Sequence, residues 1–320
     1  MYCAPKYEKN GSVTCYNRDT LLRLCKLYNK YYPKNRIPYS NKNKKQLFEQ
    51  LRNRMANRCD TEWCWLEQDF MKSNIGNGNK YNGYNKNKNS NNNSDNNRDN
   101  NSNNNEIENS NNDQYSSEAL VEKFFRPKLP NEWKKNKHTW LNSYDILNVM
   151  SQYEDKYPNF QFMGPVSSDC PTEIHCELSN FNISNMLSNG ITKVGIIYNL
   201  DTSKGPGTHW VSVYIDLKKC RIYYYDSYGY APIRRIGNFI KLVVDHCKKV
   251  HCNMKFEYNK TRHQYGNSEC GIYSMFVITE LLKGKTFKKA TELKIPDSKM
   301  NEMRFKKLYR MNNGNHIGKR

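Results

Sequence analysis

Three pieces of one stretch, Gly207-Thr208-His209-Trp210, Tyr225-Asp226-Ser227 and Gln264-Tyr265-Gly266-Asn267-Ser268-Glu269-Cys270-Gly271, decide how the rest of the chain is read. A histidine opens a segment of alternating polarity, and an acid closes the segment after it. A glutamine then stands six residues before a cysteine. After Cys270 comes Gly271 and a long apolar run.

Working outward, residues 210–216 put Trp210, Ser212, Tyr214 and Asp216 on one side and Val211, Val213 and Ile215 on the other, which is a strand pattern. Lys218-Lys219 turns the chain, and 220–225 returns as the partner strand. That hairpin sets His209 and Asp226 side by side. The β-branched run 192–200 predicts a buried strand, and 159–163 and 254–258 predict shorter ones. Helices are expected over 144–153 with Ser143 as its cap, over 179–187, and after Pro232, where Ile233, Ile236, Ile240, Val243, Val244 and Cys247 share a face. Residues 270–282 (CGIYSMFVITELL) are apolar nearly all round, which places that helix in the core. The order predicts an α+β fold, with a mostly antiparallel sheet flanked by helices. A central buried helix carries Cys270, an arrangement papain-like in the broad sense.

Upstream, residues 1–72 read as a small basic helical arm. Leu21, Leu22, Leu24, Cys25, Leu27 and Tyr28 recur at helical spacing behind Asp19 or Thr20 as cap, and a second helix is expected over 46–56. Residues 73–114 are mostly Asn and cannot bury enough apolar surface to offset chain entropy, which predicts a disordered linker. The folded catalytic part is expected over 115–284. From Lys283 the chain carries 9 Lys and 3 Arg against 3 acids, and 285–320 reads as a basic tail over the surface.

The whole chain has 51 Lys+Arg against 31 Asp+Glu in 320 residues, a net charge of +20. That balance attracts polyanions, nucleic acid among them, and says nothing of fold. Eleven cysteines, an odd number at irregular spacings, with no signal-like apolar run at the N-terminus, predict reduced thiols and a chain that is not secreted. No window approaches the ~18 apolar residues of a membrane span.

A cysteine at a helix start is most often a small core residue. The surroundings of Cys270 argue for more. The helix dipole and a nearby imidazolium both favour the nucleophilic thiolate. His209 follows a Gly-Pro-Gly turn at a sheet rim. Asp226 can fix its tautomer, although Asp226-Ser227-Tyr228-Gly229 can also be read as a plain turn. Gln264 can offer its side-chain N–H to an oxyanion beside the backbone N–H of Cys270. Base, orienting acid, oxyanion donor and nucleophile add up to a cysteine protease. His246-Cys247, His251-Cys252, and Cys170 with His175 and Cys176 are candidate zinc ligands, but the pairs lack the usual tight spacing, so no metal is expected.

His-Trp, Asp at a strand end and Gln-x5-Cys-Gly resemble the SUMO-protease and adenovirus-protease superfamily of cysteine peptidases over about 120–282. Asn267-Ser268-Glu269-Cys270-Gly271 is closest in style to the versions in large cytoplasmic DNA viruses (mimivirus-like viruses, poxviruses, African swine fever virus). The resemblance implies His209 as base, Asp226 as its partner, Cys270 as nucleophile, Gln264 in the oxyanion hole and Trp210 as a wall of a narrow substrate channel. It also implies cleavage after Gly-Gly or Ala-Gly, a viral core or capsid precursor as substrate, and residence in the virion and the host cytoplasm. No bound cofactor is implied, with DNA or a peptide as candidate activator. Two other readings remain open: a protease of host ubiquitin or SUMO conjugates, and a basic nucleic-acid or virion-binding protein using the arm and tail.

Overall fold

The computed structural model describes residues 2–72 and 116–311. The Asn-rich tract expected as a linker lies outside the described residues, as does the end of the basic tail. By its internal contacts the chain divides into Met1–Asn17 with Glu122–Arg320, and Arg18–Val121.

In the smaller unit the apolar stripe of the sequence becomes two helices, Arg18–Tyr31 and Lys44–Met55. Their buried faces are Leu21, Leu24, Cys25 and Tyr28 on the first, and Leu47, Phe48, Leu51 and Met55 on the second. Asp19 lies inside the first turn of its helix rather than at the cap, where its charge favours the positive helix end. The second helix opens two residues early because Asn43 and Gln46 form a reciprocal capping box. Asn29 ties the chain after the first helix, donating to the Ile37 carbonyl at 2.9 Å and accepting from its N–H at 2.6 Å.

The larger unit is built on a five-stranded sheet in the order β1 (Phe160–Ser167), β2 (Lys193–Asn199), β3 (Trp210–Asp216), β4 (Arg221–Tyr225), β5 (Lys255–Tyr258). The expectation of a mostly antiparallel sheet is corrected. β2–β3 and β3–β4 are antiparallel, but β1–β2 and β4–β5 are parallel, so the sheet is mixed. The cause lies in the connections. Only β2, β3 and β4 follow one another through turns, whereas the segments before β2 and β5 contain helices, Ile183–Ser188 and Arg234–Lys249, that cross over.

Both faces of the sheet are covered, which is why all seven residues of β3 are buried although their pattern alternates. Trp210 and Tyr214 join the helices Ser143–Lys156 and Cys270–Leu282 in one core; Val211, Val213 and Ile215 join helix Arg234–Lys249 in the other. Asn142, not Ser143, caps the helix Ser143–Lys156, in a capping box with Asp145. Glu269 is the N-cap residue of the Cys270 helix, and twelve of the thirteen residues of that helix are buried.

Two expectations from the sequence fail here. Residues beyond Lys283 do not merely run over the surface: Phe287, Ala290, Met300, Arg304, Leu308 and Tyr309 are buried, because apolar residues between the lysines dock on the Cys270-helix core. Nor are the thiols all reduced. Cys3–Cys15, Cys59–Cys64, Cys170–Cys176 and Cys220–Cys252 are disulfides, leaving Cys25, Cys247 and Cys270 free. Short turns bring the first three pairs together, and the fourth joins the β3–β4 turn to the chain entering β5. Among the described residues no helix is long and apolar enough to cross a membrane.

Candidate active site

The hairpin β3–β4 ends where the sequence put its chemistry. His209 stands just before β3 and Asp226 just after β4, and the ring Nε2 lies 2.7 Å from the Asp226 carboxylate. Both side chains are buried. With Nε2 committed to Asp226, Nδ1 is the nitrogen that remains for Cys270, with which the ring also interacts. Burial works against charge on this imidazole. Hydrogen bonds to Asp226 and to Cys270, and the negative charge of both, outweigh it and push the His209 pKa up to about 9. The group is protonated more readily folded than unfolded, where imidazole titrates near ~6.5. Its contribution to stability is therefore full below that value and is lost as pH rises through about 9.

The turn that carries Asp226 is shaped for the purpose. Asp226 also accepts the Tyr228 N–H at 2.8 Å. Continued past the pair Ser212↔Tyr225, the register sets Tyr228 against His209, and the two rings stack at 4.5 Å. Burial, and then the Cys270 charge, hold the Tyr228 phenol in its neutral form. Gly229 closes the turn at φ +80°, with backbone of Thr261 and Arg262 so near that a Cβ would sit 2.8 Å from Thr261 C. From the neighbouring segment Asn259 clamps the backbone of Asp226 from both sides. Its Oδ1 accepts the Asp226 N–H at 2.9 Å and its Nδ2 donates to the Asp226 carbonyl at 2.8 Å. Asn259 was not singled out from the sequence, since a lone Asn after a short strand carries no pattern.

Gln264 is fully buried, one residue after His263, which burial keeps neutral. It belongs to the loop that leads into the Cys270 helix, and its amide reaches the turn after β4 through Ser227. Both ends of that loop are held by residues of the supposed tail. Asp297 Oδ2 accepts the N–H groups of Tyr265 at 2.8 Å and Gly266 at 2.6 Å, and Arg304 donates to the Ser268 carbonyl at 3.2 Å. Arg304 also donates to the carbonyls of Lys137 at 3.1 Å and Thr139 at 2.7 Å and lies over the Trp133 ring. One side chain thus joins segment 137–139 to the entry of the Cys270 helix.

Trp210 is buried beside the same helix. Its indole N–H donates to the Leu141 carbonyl at 3.0 Å. Leu141 and Trp210 pack against Gly271, where a Cβ would meet Leu141 Cδ1 at 2.8 Å and Trp210 Cδ1 at 3.3 Å, so a larger residue after Cys270 requires both side chains to shift. Of the cysteines weighed as zinc ligands, Cys170, Cys176 and Cys252 are in disulfides and Cys247 is buried in helix Arg234–Lys249. Among the described residues no cluster of three or more metal-ligating side chains occurs.

An imidazole held between a carboxylate and a thiol can keep its proton next to a sulfur nucleophile, which is the arrangement of thiol hydrolases. The comparisons with known proteins agree with this chemistry. The Ulp1 protease family, C-terminal catalytic domain, matches residues 174–315. A protein of Acanthamoeba polyphaga mimivirus, named provisionally as a thiol protease, is 29% identical over 301 residues, covering 89% of this chain and 85% of the relative. A SUMO-1 cysteine protease of African swine fever virus is 25% identical over 186 residues, covering 53% of this chain and 68% of the relative. The crystal structure of an African swine fever virus protease superposes with a TM-score of 0.65 at 18% identity, covering 98% of this chain and 96% of that one, a likeness of fold. Residues 174–315 are thus similar to the C-terminal catalytic domain of the Ulp1 protease family, and the chain is a cysteine-type peptidase.

Proposed function

We propose that the chain is an endopeptidase that cuts after small residues, at Gly-Gly-X or Ala-Gly-X, and processes viral core or capsid precursors during virion maturation. The observation that carries the catalytic part is the line Asp226–His209–Cys270, with its 2.7 Å carboxylate–imidazole contact and an imidazole pKa of about 9. Cys270 is the nucleophile and His209 supplies the proton. The sulfur attacks the scissile carbonyl, the C–N bond breaks, and the amine leaves with the imidazolium proton. Water, losing a proton to the same ring, then releases the acid from the thioester. Gln264 and the backbone N–H of Cys270 hold the oxyanion. The preference for small residues rests on the likeness of His209-Trp210 and Gln264-x5-Cys270-Gly271 to the superfamily that cuts after such residues. The virion role rests on the similarity to viral relatives, and the net charge of +20 supports DNA or another polyanion as a partner of the basic regions.

A second reading, cleavage of host conjugates, is favoured by the SUMO-1 protease name of a relative. Peptides bearing Gly-Gly-X, Ala-Gly-X and Leu-Leu-X, and a SUMO C-terminal vinyl sulfone, separate the two. Wild type is expected to cut the first two peptides, to leave the third intact and to label poorly with SUMO, and Cys270→Ala to cut none. Rapid SUMO labelling with no peptide cleavage would transfer the function to conjugate removal.

A further inference from the structure

Gln264 can serve an oxyanion only if its amide faces the right way, and a side-chain amide has two orientations of equal shape. Its surroundings decide between them. The Gly266 carbonyl, which can only accept, lies 3.1 Å from one amide atom, so that atom is the nitrogen. The other amide atom is then the oxygen, and it lies 2.6 Å from the Ser227 hydroxyl, which must donate to it. Ser227 and Gln264 are both fully buried, so water cannot replace the hydroxyl at low cost. The Ser227 carbonyl accepts the backbone N–H groups of His263 at 2.8 Å and Gln264 at 3.0 Å, which fixes the spacing of the two segments. With its oxygen held by Ser227 and one N–H spent on Gly266, the amide has one N–H left over.

We propose that Ser227 is a positioning residue for the oxyanion hole: its hydroxyl locks the Gln264 amide so that the remaining N–H points to the developing oxyanion. The assignment rests on the role given above to Gln264. It makes one turn serve two halves of the machinery, since Asp226 sets the imidazole and the next residue sets the oxyanion donor. The Asn259 clamp on Asp226 keeps both in register.

Ser227→Ala, Ser227→Thr, Gln264→Ala and the double variant Ser227→Ala/Gln264→Ala test the assignment on three readouts. Peptide cleavage and inhibition by a peptide aldehyde both develop charge on oxygen, whereas alkylation of Cys270 by iodoacetamide displaces iodide at a saturated carbon and does not. Loss of one oxyanion donor costs about 10²–10³ in kcat, and Ser227→Ala is expected to lose about 10–100-fold with KM little changed. Aldehyde affinity should fall in parallel, alkylation should keep its wild-type rate, and Ser227→Thr should restore most of kcat. The double variant should be no slower than Gln264→Ala. Full kcat and aldehyde affinity in Ser227→Ala would overturn the assignment. So would a loss of alkylation equal to the loss of cleavage, or additive losses in the double variant. A wild type that is alkylated but gains nothing from Gln264 would instead overturn the role of Gln264 itself.

Discussion

Asp226→Asn is expected to lower kcat by about four orders of magnitude while leaving the protein folded. The geometry gives the reason. Asp226 faces Nε2, so the carboxylate keeps a proton on that nitrogen and leaves Nδ1 for the sulfur. An Asn in its place can turn its NH2 toward Nε2, which drives the ring proton to Nδ1 and blocks transfer from Cys270. The same substitution removes one of the charges that hold the imidazolium. In the wild type the alkaline limb of kcat/KM should fall near pH 9, where His209 loses its proton. In Asp226→Asn that limb should move to lower pH. A pH–rate profile of residual activity measures both; an unmoved limb would show that Asp226 does not sustain the charge on His209.

Arg304→Met should destabilise the catalytic unit by about 3–5 kcal/mol, the cost of breaking a buried charged network. Arg304 is fully buried, and its guanidinium satisfies the carbonyls of Lys137, Thr139 and Ser268. Methionine can fill the space over Trp133 but leaves three acceptors without donors. Tm should drop on the order of 10 °C. Arg304→Lys should recover only part of that, since an ammonium lacks the planar fork that spans segment 137–139 and Ser268. Calorimetry on the three proteins reads this directly. A Tm within a degree of wild type for Arg304→Met would mean that the latch carries no stability.

The contrast between Arg304 and Cys270 shows what the sequence could and could not display. The Cys270 helix was readable to the residue because a run apolar nearly all round has one home. His209 and Asp226 were placed together by a hairpin that local turn chemistry specifies. The mostly antiparallel sheet was expected because four- and eight-residue outer segments joined through helices carry no local mark of their parallel pairing. Arg304 and Asp297 lie among lysines, where charge looks like a solvated surface; only the fold reveals that they hold the loop of Gln264 and Cys270. Ser227 had a usable signal, adjacency to Asp226, but its partner is 37 residues away. The disulfides follow from turns and packing rather than from Cys spacing.

Activation of Cys270 as a nucleophile by His209 can be read by mass spectrometry after exposure to a Gly-Gly vinyl sulfone peptide. One equivalent of adduct is expected, on the peptide containing Cys270, with formation slowed at least about a hundredfold in His209→Asn. An adduct on Cys25 or Cys247, or labelling of Cys270 at the same rate without His209, would contradict it.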